Sequence, residues 1–190
     1  MPKATGPVYN VPFRRRRDVL TNYSRRLALV KSGRPRMVVR ASNRRVAVQF
    51  VSFAEKGDVV LAQADSAELK GFGWSGRRNL PTAYLTGALA AKRAKGKKVA
   101  EFVLDIGLST ASKSALPFAA VKGALDAGLK TGFDEKKIDM KRVRGEHIAA
   151  FAAGGKAGAM FSAYAKEGVS PGKLPELFDA AKEKVLKGGA

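Results

Sequence analysis

The sequence predicts an α/β fold with a mixed sheet, in which an antiparallel meander is followed by βαβα-type units. Residues 36–64 alternate apolar and polar side chains in short runs separated by turn residues, as in an antiparallel meander. Residues 79–132 instead predict two helices, each with a proline in its first turn, and between them one nearly continuous apolar run typical of a buried strand. With a basic N-terminal extension and a helical C-terminal part, the expected domains are residues 1–33, 34–135 and 136–190.

The N-terminal extension is expected to combine an arm with one helix. Gly6, Pro7 and Pro12 break any helix in residues 1–13, so this arm is expected to be extended. A helix is expected to begin at Asp18 or Thr21 and to end at Gly33, a C-cap signal. Apolar residues recur along this helix at three- and four-residue spacing and predict a stripe that docks on the domain, formed by Leu20, Tyr23, Leu27 and Val30.

The meander follows this helix. Three strands joined by two short turns are expected over residues 36–42, 45–53 and 59–64. Because side chains alternate across a strand, Arg40 is expected on the same face as Val38, with Met37 on the opposite face.

The second half of the chain is expected to be mainly helical. Asn79 is an N-cap signal followed by proline in the first helical turn, and the run from Phe102 is apolar enough for a buried strand. Gly132 is expected to end the helix that Pro117 begins. The expected elements are a helix over residues 79–94, a strand over 99–108, a helix over 117–132, and C-terminal helices over 147–153 and 175–186.

The charge of the chain points to a polyanionic partner. Lys and Arg number 36 against 16 acids, for a net charge of +20. Residues 1–45 hold thirteen basic side chains, eleven of them Arg, against the single acid Asp18. Arginine pairs bidentately with phosphate and stacks on bases, and an excess this large disfavours the compact state unless a polyanion neutralises it. Nucleic acid is the leading candidate, and an anionic membrane surface is the second.

The composition argues against catalysis. The chain has no cysteine and one histidine, His147, so nucleophilic triads have almost no candidate members. Residues 71–76 match G-x-G-x-x-G, but they follow no strand and lack the later acidic residue of a nucleotide site. Asp105 is expected to cap a strand end by accepting from backbone amides. It could join a two-metal nuclease site only with distant and sparse carboxylates, namely Asp65 and Asp126. No metal or cofactor is expected.

Several segments in one collinear order resemble a single family. They are residues 6–17, 21–43, 79–87, 100–108, 118–129 and 142–149, together with Trp74. In this order they are similar to the archaeal form of universal large-subunit ribosomal protein eighteen, over about residues 6 to 152. No single segment is decisive, but their number and order make the resemblance specific.

The resemblance implies a structural ribosomal protein of the cytoplasm. Such a protein binds 5S rRNA and helps attach it to the large subunit in the central protuberance. It also contacts 23S rRNA and lies near universal large-subunit protein five. The family fold has a ribonuclease-H-like topology without catalytic carboxylates. Neither a membrane nor a small-molecule substrate is implied.

The RNA-binding residues are expected first in the arm and first helix, where arginines alternate with aromatic side chains. The residues expected there are Tyr9, Phe13, Arg14, Arg15, Arg16, Arg17, Tyr23, Arg25 and Arg26. The first strand and its turn come next, with Arg36, Arg40, Ser42, Asn43 and Arg44. Arg77, Lys113 and His147 are further candidates. Trp74 could stack on RNA or belong to the core, and the sequence favours neither.

Three alternatives share part of this pattern. A DNA-compacting protein would carry the same charge, and competition between RNA and duplex DNA separates the two. A metal-dependent nuclease would cleave RNA in the presence of Mg²⁺. A peripheral membrane protein is the most distant alternative, because the sequence contains no isolated basic amphipathic helix.

Overall fold

A four-stranded mixed sheet forms the centre of the fold in a computed structural model that describes residues 6–154 and 160–188. Its strands are β1 (Arg36–Ala41), β2 (Val46–Ser52), β3 (Val59–Asp65) and β4 (Val103–Asp105). They lie in the order β3-β2-β1-β4; β2 is antiparallel to both β1 and β3, and β4 is parallel to β1. The predicted mixed sheet with a meander is therefore confirmed.

Eight α-helices lie within the described residues. They are α1 (Arg14–Arg17), α2 (Tyr23–Lys31), α3 (Leu80–Gly96), α4 (Leu116–Asp126), α5 (Met140–Arg144), α6 (Glu146–Ala153), α7 (Ser162–Lys166) and α8 (Leu174–Gly188). The predicted N-cap at Asn79 is confirmed, because its side chain accepts from the Thr82 amide at 2.9 Å. No helix of these described segments is both long and apolar enough to cross a membrane.

The core lies between the sheet and the α3–α4 pair. Met37 and Val39 of β1 are buried there, which confirms the predicted alternation along this strand. α3 is buried over most of its length and packs closely against α4. From the C-terminal end, α8 closes the same core with Phe178, whose ring contacts Trp74 and Tyr84 at centroid distances of 6.1 and 5.3 Å.

The contact between α3 and α4 depends on glycine. A Cβ at Gly123 would collide with the Tyr84 carbonyl oxygen, which is backbone and cannot turn away. We expect Gly123→Ala to lower the free energy of unfolding by about 1–3 kcal/mol, because the helices must separate. Gly96→Ala is the matched control, since nothing lies within 4 Å of a Cβ there. Equal urea midpoints for the two variants would contradict this account of the helix contact.

Two predicted elements are shorter than expected. The strand predicted over residues 99–108 is reduced to β4, because the turn at Gly107 (φ 61°) ends it and Leu108 is exposed. The helix predicted to reach Gly132 ends at Asp126, because Gly128 takes the left-handed C-cap conformation (φ 96°). The predicted C-terminal helices correspond to α6 and α8, whereas α5 and α7 were not predicted.

The N-terminal extension differs most from its prediction. Residues 1–5 of the predicted arm lie outside the described residues, residues 9–13 have no regular structure, and α1 follows them. The main helix begins at Tyr23 because the Asn22 side chain caps it. The predicted apolar docking stripe is wrong in part: Leu20 and Leu27 are exposed.

Candidate nucleic-acid interface

The outer face of the sheet, opposite α3 and α4, carries α2 and a groove beside it. Arg25 of α2 donates to the Gly107 carbonyl oxygen at 3.5 Å, just beyond the end of β4. Arg26 pairs with Asp58, just before β3, at 2.9 Å. The helix therefore crosses the face from the end of β4 toward the start of β3. A groove of about 900 Å³ lies between α2 and this face of the sheet. Val38 and Arg40 both line the groove, as the alternation along β1 predicted.

One end of this groove collects basic and polar side chains. Because β1 and β4 are parallel neighbours, the turn after β1 and the loop after β4 lie at the same end of the strands. α1 lies beside that loop, and Arg15 lines the groove together with Ser109. We call α1 and the turn after β1 together the basic edge; its exposed members are Arg14, Arg15, Arg16, Arg17, Ser42, Asn43 and Arg44, and Lys113 is exposed in the loop after β4.

The four arginines of α1 are the most available cations of the basic edge. All four are exposed, and none takes part in an ion pair within the described part of the chain. Arg15 donates to the Thr21 hydroxyl at 2.9 Å, which ties α1 to the start of α2. Val19 ends α1 at φ 52°, a left-handed position that glycine normally occupies. The charges are thus held on one short and strained turn.

Two predicted aromatic residues, Tyr9 and Phe13, precede these charges in the chain. Phe13 precedes α1 directly and is 74% exposed, and its ring centroid lies 5.5 Å from that of Tyr23 at the start of α2. Tyr9 is also exposed. Exposed rings among arginines are suited to stacking on unpaired bases. The predicted aromatic candidates of the arm are therefore accessible.

A network of ion pairs lies under α2. The Asp105 carboxylate accepts from Arg36 at 2.9 Å, from Arg40 at 3.0 Å and from the Gly107 amide at 2.8 Å. Asp58 accepts from Arg36 at 2.6 Å and from Arg26 at 2.9 Å. The two carboxylates thereby fix three arginines and hold α2 on the sheet. The prediction that Asp105 accepts a hydrogen bond from a backbone amide is confirmed. Its two arginine partners were not predicted.

The network shifts the titration of Asp105. Burial alone would raise its pKa, but the hydrogen bond and charge of Arg40, the Gly107 amide and the charge of Arg36 together lower the pKa below its ordinary value. Ionised Asp105 therefore stabilises the folded state.

This shift predicts how stability depends on pH. The folded-state pKa lies below the unfolded value of about 3.9. The stabilisation by Asp105 is thus complete above that value and is lost as the pH falls through the folded pKa. We expect the melting temperature of the protein to fall more steeply between about pH 5 and pH 2 than that of Asp105→Asn. Asp18→Asn, which removes an exposed carboxylate, is the control; parallel curves for the protein and Asp105→Asn would contradict the prediction.

Three predicted RNA contacts are engaged by the protein itself, and two of them are buried. Arg36 is 4% exposed within its ion pairs. Trp74 is 3% exposed and donates its indole N–H to Thr82 at 2.8 Å, so the core alternative is correct for Trp74. The Arg77 guanidinium donates to the Ala163 carbonyl, pairs with a glutamate and lies 4.6 Å from the centroid of the Tyr164 ring. These contacts hold the fold together. The assignment of Arg36 and Trp74 to RNA is corrected by their burial, whereas the RNA contact of the partly exposed Arg77 stays a prediction.

His147 lies apart from the ion network, at the start of α6. It is exposed, and partial burial of the ring followed by the Arg142 charge lowers its pKa. The imidazole is therefore mostly neutral at pH 7, and it can donate one hydrogen bond and accept another without contributing positive charge.

The metal-site alternative is not supported. The described residues contain no group of three side chains able to hold a metal ion. Asp65 caps the short 3₁₀ helix that follows β3, and Asp126 accepts from the Tyr84 hydroxyl. The three aspartates thus serve separate structural positions. No sequence signal points to Asp58, which lies just before β3 and meets its arginine partners only in the fold.

Comparison with known proteins gives consistent matches. A family model described as "Ribosomal large subunit proteins 60S L5, and 50S L18" matches residues 8–102. Proteins named large ribosomal subunit protein uL18 are similar over most of the chain. The one from Thermofilum pendens is 48% identical, covering 96% of this chain and 97% of its own. That from Saccharolobus solfataricus is 43% identical over 98% of each chain, and that from Halobacterium salinarum is 50% identical over 78% and 82%.

Proposed function

The chain belongs to the family of large ribosomal subunit protein uL18, and on that basis we propose that it binds 5S rRNA and attaches it to the subunit in the central protuberance. Membership itself makes the protein a structural component of the large ribosomal subunit in the cytoplasm and not an enzyme. The 5S rRNA, further contacts with 23S rRNA and the neighbouring universal large-subunit protein five are the proposed partners.

The observation that carries this function is the basic edge. Four exposed arginines without ion pairs in the described segments directly follow Phe13, whose exposed ring lies 5.5 Å from that of Tyr23. Arginines of this kind contact phosphates and fix the position of the protein, while the rings can take up unpaired bases. Structured RNA offers both kinds of contact at once, whereas a uniform duplex offers mainly phosphates.

The fold supports two further parts of the proposal. The strand order β3-β2-β1-β4, with β4 parallel to β1, agrees with a ribonuclease-H-like topology. The division into an N-terminal RNA-binding extension (1–33), an α/β domain (34–135) and a helical extension (136–190) stays a prediction. α8 and the α/β residues share one hydrophobic core, so we propose that the last two parts fold together.

Direct competition tests this function. Labelled 5S rRNA is bound by the full-length protein and challenged with unlabelled 5S rRNA or with duplex DNA of equal length. We expect the RNA to displace the label at a concentration at least tenfold lower than the DNA. Equal competition would favour the DNA-compacting alternative. Cleavage of the RNA on addition of Mg²⁺ would favour the nuclease.

The salt dependence of binding is also predicted. Each phosphate neutralised by an arginine releases counterions, so log Kd should rise with log salt concentration by roughly 0.7 to 0.9 per phosphate. The four arginines of α1 together with Arg25 and Arg44 lead us to expect a total slope of roughly 4 to 5. Filter binding between about 0.05 and 0.3 M KCl measures this slope. A slope near zero would contradict an electrostatic interface.

A further inference from the structure

The edge of the sheet farthest from β4 is open. β3 pairs with β2 on one side and has no strand on the other within the described residues. The pairing register of β3 with β2 shifts between Phe50 and Val51 of β2, so that Leu61 of β3 has no partner residue. Arg93 donates to the Gln63 carbonyl at 2.8 Å and closes the edge at that end. The backbone before Gln63 is left without such a cover.

This edge also exposes apolar side chains. Val59 and Val60 of β3 are 51% and 47% exposed, and Phe53, which follows β2, is 55% exposed beside them. An open strand with an apolar surface and no proline is a template for pairing with another chain, and folded proteins usually protect such edges. Among the residues that the structure describes, this edge is protected only at Gln63, through Arg93.

The surroundings of the edge are positively charged. A cleft of about 1040 Å³ runs between β3 and the C-terminal end of α3, and none of the described carboxylates lines it. Arg93 is neutralised by Glu68 at 2.6 Å. Three lysines of the cleft form no ion pair in the described part of the chain: Lys92, Lys95 and Lys97.

We propose that an acidic, extended segment of a neighbouring large-subunit protein adds to β3 as a fifth strand. Backbone hydrogen bonds would pair the open edge, apolar side chains would cover the valines, and carboxylates would neutralise the lysines. RNA phosphates could satisfy the lysines but would leave the valines and the strand edge unpaired. This strand addition requires that the protein sits in the large subunit, not that it binds 5S rRNA.

Cross-linking in purified large subunits identifies what lies on the edge. The photoreactive residue p-benzoylphenylalanine replaces Val60 in the full chain, and Leu108, an exposed apolar residue near the opposite edge, is the control position. We expect Val60 to cross-link to a ribosomal protein through a peptide rich in Asp and Glu, and Leu108 not to reach that peptide. Cross-linking of Val60 to rRNA, to a basic peptide, or to nothing would overturn the strand addition.

Charge reversal tests the lysines. Lys95→Glu combined with Lys97→Glu is expected to reduce the yield of the Val60 cross-link at least tenfold. The control variant is Lys166→Glu combined with Lys173→Glu, which reverses two exposed lysines of the C-terminal part. Equal cross-link yields in the two variants would overturn the electrostatic basis of the pairing.

Hydrogen exchange provides a measurement that needs no variant. In unmodified subunits, the amides within residues 59–63 that do not bond to β2 should exchange at least tenfold more slowly than in the free protein. Addition of 5S rRNA alone should not slow them. Fast exchange in the subunit, or full protection by the RNA alone, would overturn the proposal, and neither result bears on whether 5S rRNA binds at the basic edge.

Discussion

Replacing the four arginines of α1 by glutamine is expected to weaken binding to 5S rRNA roughly a hundredfold near physiological salt. Each exposed arginine contributes somewhat under 1 kcal/mol to a phosphate contact, and 1.4 kcal/mol corresponds to a factor of ten. The fold should be unaffected, because α1 buries no side chain. Titration by filter binding, with circular dichroism as a check on folding, measures both effects.

The salt slope distinguishes lost phosphate contacts from a general loss of charge. Removal of four phosphate contacts should lower the slope of log Kd against log salt by about 3. The matched control changes four exposed lysines of the C-terminal part to glutamine, namely Lys166, Lys173, Lys184 and Lys187. It removes the same charge and should change the affinity by less than about threefold. If both variants weakened binding equally, the basic edge would have no special role.

Asp105→Ala is expected to lower the free energy of unfolding by about 3–5 kcal/mol, the usual effect of breaking a buried ion pair. Asp105 is 7% exposed and Arg36 is 4% exposed. Without the carboxylate, Arg36 keeps only its pair with Asp58, and part of its charge is buried without a partner. Arg40 can turn to solvent, because half of its side chain is exposed. Urea denaturation followed by circular dichroism measures the loss.

Two further variants test whether the unpaired charge of Arg36 causes this loss of stability. Asp58→Ala removes a more exposed carboxylate and should cost about 1–2 kcal/mol. Arg36→Met combined with Asp105→Leu replaces the buried pair by apolar side chains and should recover most of the stability. An Asp105→Ala variant within 1 kcal/mol of the parent protein would show that the network does not stabilise the fold.

The parts of the fold that the sequence predicted correctly depend on local signals. Asn79 marks a helix start through its own side chain, and alternation along β1 placed Arg40 and Met37 on opposite faces. Local signals also located the basic edge, because charge and aromatic spacing are properties of the sequence itself. The end of α4 was predicted at the wrong glycine, because Gly128 and not Gly132 takes the left-handed conformation.

The remaining features depend on contacts between distant parts of the chain. Trp74 is buried because α8 brings Phe178 against it, and nothing near Trp74 in the sequence indicates this. Arg36 carries the same charge as the arginines of α1, yet two carboxylates far along the chain draw it inward. Leu20 and Leu27 have helical spacing but stay exposed: Leu20 lies before α2 begins, and the ion pair of Arg26 with Asp58 helps to set the orientation of the helix that carries Leu27.

The place of α8 in the core has a consequence for biosynthesis. Chains leave the ribosome N-terminal end first, so the arginine segment emerges well before Leu174–Gly188. Until Phe178 arrives, the pocket at Trp74 and Tyr84 stays open. A nascent chain at that point can already be captured by RNA while its interior is unfinished. Premature termination ahead of α8 therefore yields a product that retains its affinity for polyanions but is degraded readily by proteases.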